Sequence, residues 1–262
     1  MISLHAIGEG LARGEFFLEY LPTVSLADGR CVGAEALSRW RRPSGLVQPD
    51  EFIHRIEGTP LSGLLTYWVL ETVANELGDW LRTHRDVDVG VNVPPEILGR
   101  GALAYVATKT GLFEIRDQII LEITERGIPD NQGLATLEAA SRSGVRIALD
   151  DVTLSGTHLA ILSRCTLDLI KTDRPLVAQI TPEDPSPAWL SGLSALLKSI
   201  QVAVIAEGVE TAAQAEALQA AGIPMAQGYY FSPPVSAEEL KAYHARAAQR
   251  AEPAAAPGST GT

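Results

Sequence analysis

The segment Arg146-Ile147-Ala148-Leu149-Asp150-Asp151 is an apolar run that ends in two adjacent carboxylates. Buried parallel strands of α/β enzymes read this way, because both of their faces are covered and the reacting groups collect at the carboxyl end. Two neighbouring acids raise each other's pKa unless a positive charge stands beside them, and a divalent cation is an economical way to supply it. The alternative is that the pair caps the following helix, a role that Asp favours.

Other apolar runs of the chain end in the same manner. Glu35, Asn92, Glu122, Lys171, Glu207 and Gln227 each stand at the close of a strand-like stretch, as Asp150 and Asp151 do. If these strands close into a barrel, all of them meet at one face. Five carboxylates, the Asn92 amide and the Lys171 ammonium around one mouth are a poor core, since each would cost several kcal/mol if buried without a partner.

The donor types select the cation. All-oxygen ligands without a neighbouring Cys or His favour hard ions such as Mg²⁺ or Mn²⁺ over zinc. The histidines, His5, His54, His84, His158 and His244, are scattered, and only His158 lies near a strand end. With Asp150 as a bridge, two ions can share the site, an arrangement that suits in-line displacement at phosphorus and so the hydrolysis of a phosphodiester. Lys171 fits as a point charge that favours hydroxide and steadies a developing oxyanion; a salt bridge to Asp173 or Asp151 is the alternative. Arg39, four residues beyond Glu35, is placed to take a phosphate oxygen, or else is a surface cation. Glu125 and Glu210, each three residues beyond a ligand candidate, either hold a loop and orient Lys171 or are solvated acids in a first helical turn.

The elements that would carry these groups alternate. A short strand is expected over Leu11 to Leu21. The turn signal Ala27-Asp28-Gly29-Arg30 leads to a second strand from Cys31 to Leu37, giving a hairpin, and a basic loop then runs through Gly45. From Pro60 a long amphipathic helix places Leu61, Leu64, Leu65, Trp68, Val69, Val73, Leu77 and Trp80 on one stripe. Strands follow at Val87 to Asn92, Gln118 to Thr124, Val145 to Asp151, Leu167 to Lys171, Val202 to Glu207 and Pro224 to Tyr230. Helices intervene at Pro95 to Lys109, Asp130 to Ser143, from about Thr157 and near Trp189 to Ser199. Thr211 with Gln214, and Ser236 with Glu239, form capping boxes that open the last two helices, the first of which stops at Gly222. About eight strands alternating with helices predict one α/β domain over residues 1–250, a closed barrel with one strand reversed by the hairpin. The Pro, Ala, Gly, Ser and Thr tail, 251–262, is expected to be disordered.

Composition agrees. At 262 residues the chain suits a barrel, which typically needs ~250. Its 46% apolar content is that of a globular core, without a ~20-residue membrane span. The start lacks the basic head and apolar run of a secretion signal, so a cytoplasmic location is expected. Cys31 and Cys165 are too few for a disulfide framework. A net charge of −11 argues against duplex nucleic acid, whose partners are basic, so an anionic ligand would need metal ions and a few aimed cations.

Taken together, the blocks Glu35-Ala36-Leu37-Ser38-Arg39-Trp40, Gln48-Pro49-Asp50-Glu51-Phe52-Ile53, Val91-Asn92-Val93, Leu121-Glu122-Ile123-Thr124-Glu125, Leu149-Asp150-Asp151, Ile170-Lys171-Thr172-Asp173, Ala206-Glu207-Gly208-Val209-Glu210-Thr211 and Gln227-Gly228-Tyr229 resemble the EAL-domain family, metal-dependent phosphodiesterases that linearise cyclic di-GMP. The resemblance covers about Glu9 to Tyr243. It implies a modified TIM (β/α)8 barrel with one antiparallel strand and two Mg²⁺ or Mn²⁺ per active site. One ion would be held by Glu35, Asn92, Glu122 and Asp150, the other by Asp150, Asp151 and Glu207. It further implies that Lys171 positions or deprotonates water, that Leu37, Arg39 and Gln227 meet the substrate, that Glu210 supports Lys171, that Glu125 anchors the loop after the paired aspartates, and that a homodimer can form. The chain departs from the family in that loop, where Val152-Thr153-Leu154-Ser155 replaces a segment with two glycines. Leu21 stands for a usual Gln, Pro94 for a Ser, and His158 for a common Ser. The altered loop keeps open a second reading, a weak or inactive domain that binds cyclic di-GMP or a protein partner.

Overall fold

The computed structural model describes residues 2–123, 130–150, 167–197 and 202–251. The chain opens with α1 (Leu4–Ala12), whose Ser3 hydroxyl accepts from the Ala6 amide; the helix takes in Leu11 and Ala12, where the first strand was expected to begin. Strands β1 (Phe16–Ser25) and β2 (Cys31–Arg42) form the expected hairpin. The basic stretch after β2 turns back into β3 (Gly45–Val47) and is not a loop throughout. Helix α2 (Pro49–Ile56) precedes α3 (Pro60–Thr83). The helix expected over Pro95 to Lys109 is broken: a 3₁₀ turn (Pro95–Ile97) and α4 (Ala102–Thr110) flank Gly99 and Gly101, which take φ of +82° and +75°.

Then follow β4 (Asp88–Val93) before α4, β5 (Ile119–Ile123), α5 (Asn131–Arg142), β6 (Arg146–Leu149), β7 (Leu169–Thr172), α6 (Arg174–Val177), α7 (Ala188–Leu197), β8 (Ala203–Ala206), α8 (Ala212–Ala220), β9 (Met225–Ala226) and α9 (Ala237–Ala251). Asp130 caps α5 through the Gly133 amide, and the Thr211 box caps α8, as its spacing required. The helix expected from Thr157 and residues 252–262 of the tail lie outside the described residues.

Strand order closes the sheet: β2, β4, β5, β6, β7, β8 and β9 run parallel in sequence, and β1 bonds antiparallel to both β2 and β9. This is an eight-strand barrel with one reversed strand, and β3 hangs on the outer edge of β2. Side chains alternate between its two faces. Outward, Val87, Val89, Val91 and Val93 are fully buried against the helices, with Val73, Leu77 and Leu81 of α3 in the same core. Each such side chain contributes roughly 1.5–3 kcal/mol. Leu64 departs from the expected stripe and is 54% exposed, one residue round the helix from buried Leu65. Inward, Ile120, Ala148, Leu169 and Ile205 form a small separate plug, with Ala203 and Met225 against it.

Candidate active site

Alternation carries the apolar plug directly into a polar layer. Two residues beyond Ile120, Ala148, Leu169, Ile205 and Met225 stand Glu122, Asp150, Lys171, Glu207 and Gln227, and residues two apart on a strand share a face. Glu35 and Asn92 join them from β2 and β4, where Asn92 Nδ2 donates to Glu35 Oε1 at 2.7 Å. The plug seals the barrel below, so the layer above it is held away from water on that side.

At its centre is Lys171, which has no exposed surface. Its Nζ lies 2.9 Å from Glu35 Oε2, 2.8 Å from Glu122 Oε2, 3.4 Å from Asp150 Oδ1 and 2.6 Å from Glu207 Oε1. The ammonium donates hydrogen bonds to Glu35 and Glu122, while Glu207 Oε1 lies off a hydrogen-bonding direction and is attracted as an ion pair. Among the described residues Lys171 pairs with four acids and not with Asp173, and Asp151 lies outside the described residues.

Four ionised carboxylates against one ammonium would leave three buried negative charges, which a low-dielectric interior opposes. The titration of the site reflects this. Burial pushes the Glu122 carboxyl well above its ordinary range, opposed by the Lys171 charge and reinforced by Glu35 and Asp150. Burial likewise pushes Glu207 up to about 8. Burial alone would lower Lys171, but Asp150, Glu122, Glu207 and Glu35 outweigh it and hold the ammonium well above its ordinary value. A hard divalent cation would fit this oxygen-rich, His- and Cys-free donor set. Among the described residues no three acids or histidines already form a cation cage; their oxygens close on the ammonium.

Arg39 shares the inward face of β2 with Glu35 and Leu37. It is no free surface cation: its Nε donates to Glu19 Oε2 of β1 at 2.7 Å, and its side chain is 12% exposed. Leu37, Arg39, Asn92 and Asp150 line a cleft of about 1010 Å³ whose other wall includes Ile53 and Leu65 of α2 and α3, a volume adequate for a ligand of nucleotide size. Gln227 is buried, with Nε2 donating to Thr23 Oγ1 at 2.7 Å and Oε1 lacking a partner among the described residues. The Glu210 side chain is 61% exposed and lies 3.6 Å from Arg174; among the described residues it is not one of the acids paired with Lys171. The Gly208-Val209 turn, with Gly208 at φ +71°, carries the chain out of the barrel mouth before Glu210 is reached. Asp151, Glu125 and the Val152-Ser155 loop lie outside the described residues.

Three participants were not singled out from sequence. Glu19 and Thr23 follow from the hairpin, because β1 faces β2 with Glu19 opposite Leu37 and Thr23 opposite Gly33; counting back from the Asp28-Gly29 turn could have found them. Gly90, inside β4, lies against Glu122. A glycine within a strand signals such a close approach.

A family model described as "EAL domain" matches residues 5–234. The chain belongs to the EAL-domain family. An Escherichia coli K12 relative, "Probable cyclic di-GMP phosphodiesterase PdeB", is 30% identical over 240 residues, covering 90% of this chain and 46% of that protein. The solved structure "PaMucR Phosphodiesterase, c-di-GMP complex" is 31% identical with a TM-score of 0.81, covering 90% of this EAL chain and 98% of that one. The cAMP- and cyclic-di-GMP-bound form of the EAL enzyme Bd1971 is 29% identical with a TM-score of 0.81, covering 91% and 67%. This EAL chain spans less than half the length of the curated relatives it matches, 42% and 46% in two of them. Among the described residues no helix is long and apolar enough to cross a membrane.

Proposed function

We propose that this EAL domain is a metal-dependent phosphodiesterase that hydrolyses cyclic di-GMP to linear pGpG. The observation that carries the reading is the closing of Glu35, Glu122, Asp150 and Glu207 on the buried Lys171 ammonium. A relative named for this activity and a related phosphodiesterase solved with cyclic di-GMP support the choice of substrate.

Glu35, Asn92, Glu122 and Asp150 would hold one Mg²⁺ or Mn²⁺, and Asp150, Asp151 and Glu207 a second. Such ions would supply the charge that stabilises an in-line displacement at phosphorus. The chain's own groups do the rest. Lys171, held protonated, places a fixed positive charge beside the attacking water and lowers the cost of the developing negative charge. Arg39, steadied by Glu19, presents a guanidinium to a phosphate oxygen. Leu37 offers apolar contact on the cleft wall, and Gln227 anchors the polar layer to β1 through Thr23.

Incubation with cyclic di-GMP and Mg²⁺ or Mn²⁺, followed by chromatography, tests the reading. Formation of pGpG that disappears in Glu35→Ala is expected. One sequence feature favours a second reading, a binding module: both loop glycines usual in the family are replaced in Val152-Thr153-Leu154-Ser155. Tight binding with no product, unchanged by Mn²⁺, would decide for it.

A further inference from the structure

Glu122 reaches its place by using room that β4 leaves open. Register pairs Gly90 with Glu35 on one side and with Ile120 on the other, and Asn92 with Glu122. The inward face of β4 thus presents Asp88, Gly90 and Asn92 in succession, between the strands that carry Glu35 and Glu122. A Cβ built on Gly90 would stand 2.0 Å from Glu122 Oε1 and 2.7 Å from its Cδ. The other oxygen, Oε2, accepts from Lys171 Nζ at 2.8 Å. One carboxylate oxygen therefore occupies the volume of a missing side chain while its twin meets the ammonium.

Gly90 does not take the left-handed backbone conformation in which glycine is favoured, so its lack of a side chain is the feature in use. The outward residues of the strand, Val89, Val91 and Val93, are buried, and a glycine within a strand loses conformational entropy and packing relative to a larger residue. The atoms in conflict belong to the far end of a flexible side chain, so an added methyl displaces the carboxylate and leaves the backbone in place.

We infer that Gly90 is a positioning residue: its empty side-chain volume seats the Glu122 carboxylate and fixes the orientation in which it faces Lys171 and a bound cation. The inference rests on the proposed activity for its consequence, though not for its geometry.

Gly90→Ala in the full chain tests it. The variant should fold with unchanged far-UV circular dichroism and melt within a few degrees of the parent. Its crystal structure should show the Glu122 carboxylate moved out of the Gly90 volume and its contact with Lys171 lost. Mn²⁺ affinity, measured by calorimetry, should fall at least tenfold, and kcat/KM for cyclic di-GMP by a similar factor. Glu122→Asp shortens the acid by one methylene, so adding Gly90→Ala in that background should cost less than twofold. A Gly90→Ala crystal structure in which the carboxylate stays and β4 or β5 shifts instead would overturn the inference, as would parental Mn²⁺ affinity. If the parent protein forms no pGpG, the proposed activity falls, while the position of Glu122 in the crystal still decides the role of Gly90.

Discussion

At the scale of single residues the site is governed by charge balance. Lys171 is the one described cation inside a ring of four acids, so Lys171→Ala leaves buried carboxylates without compensation. Loss of one partner from a buried ionic cluster costs roughly 3–5 kcal/mol, and loss of one preorganised group aimed at developing negative charge costs ~10²–10³ in rate. Lys171→Ala should therefore melt well below the parent, regain part of that loss with Mn²⁺, and hydrolyse cyclic di-GMP at least a hundredfold more slowly. Calorimetry and single-substrate kinetics check both halves. The elevated Glu207 carboxyl gives a pH signature. Its pKa rises from 4.5 to about 8 on folding, so the fold holds that proton more tightly than the unfolded chain does. The stability it contributes is complete below about 4.5 and is lost as pH climbs toward 8; Glu122 acts with the same sign. In chelator, the parent should melt lower at pH 8 than at pH 5.5, Glu207→Gln should flatten the slope, and Mn²⁺ should protect more strongly at the higher pH. A chelated parent whose melting temperature climbs over that window would refute the assignment.

At the scale of elements, two glycines in neighbouring strands make opposite demands. A Cβ on Gly33 would stand 2.9 Å from the Asp88 carbonyl oxygen, which is backbone and cannot swing away. Gly33→Ala must part β2 from β4, so it should lower the melting temperature markedly where Gly90→Ala does not, and thermal denaturation of the pair distinguishes them. The hairpin works at this level too. Its register puts Glu19 and Thr23 on the inward face, where they hold Arg39 and Gln227. The outward residues of the same strands serve packing: Phe16 stacks on Trp40 at 5.2 Å, and Tyr20 donates to Glu76 of α3 at 2.7 Å.

At the scale of the molecule, closure is uneven. β4 and β5 share five register pairs, whereas β9 meets β1 through Val24 and Ala226 and through Ser25 and Met225 only. Local opening follows the weakest bonding, so amides of β9 should exchange with solvent before those of β4 and β5. Hydrogen exchange by mass spectrometry reads this directly, and equal protection of the two seams would contradict it. The seam carries Gln227, whose buried side chain bridges back to β1 through Thr23. Polar bonding at the mouth thus supplements the short ladder.

Sequence alone determined the alternation of strands and helices, the reversed first strand and the identity of the strand-end acids. These are local properties: periodicity, turn residues and capping boxes act over a few positions, and the Thr211 cap appears where its spacing required. Where local signals compete, the sequence misled. The helix capped by Ser3 runs on through Leu11 and Ala12, which read as the start of a strand, and Gly99 and Gly101 divided a helix that looked continuous. Only the tertiary structure decided that the four acids close on one ammonium, that Arg39 is steadied by Glu19, that Glu210 faces Arg174, and that Gly90 makes room for Glu122. Contacts between residues 20 to 136 positions apart depend on how the barrel closes, and no local pattern encodes that closure.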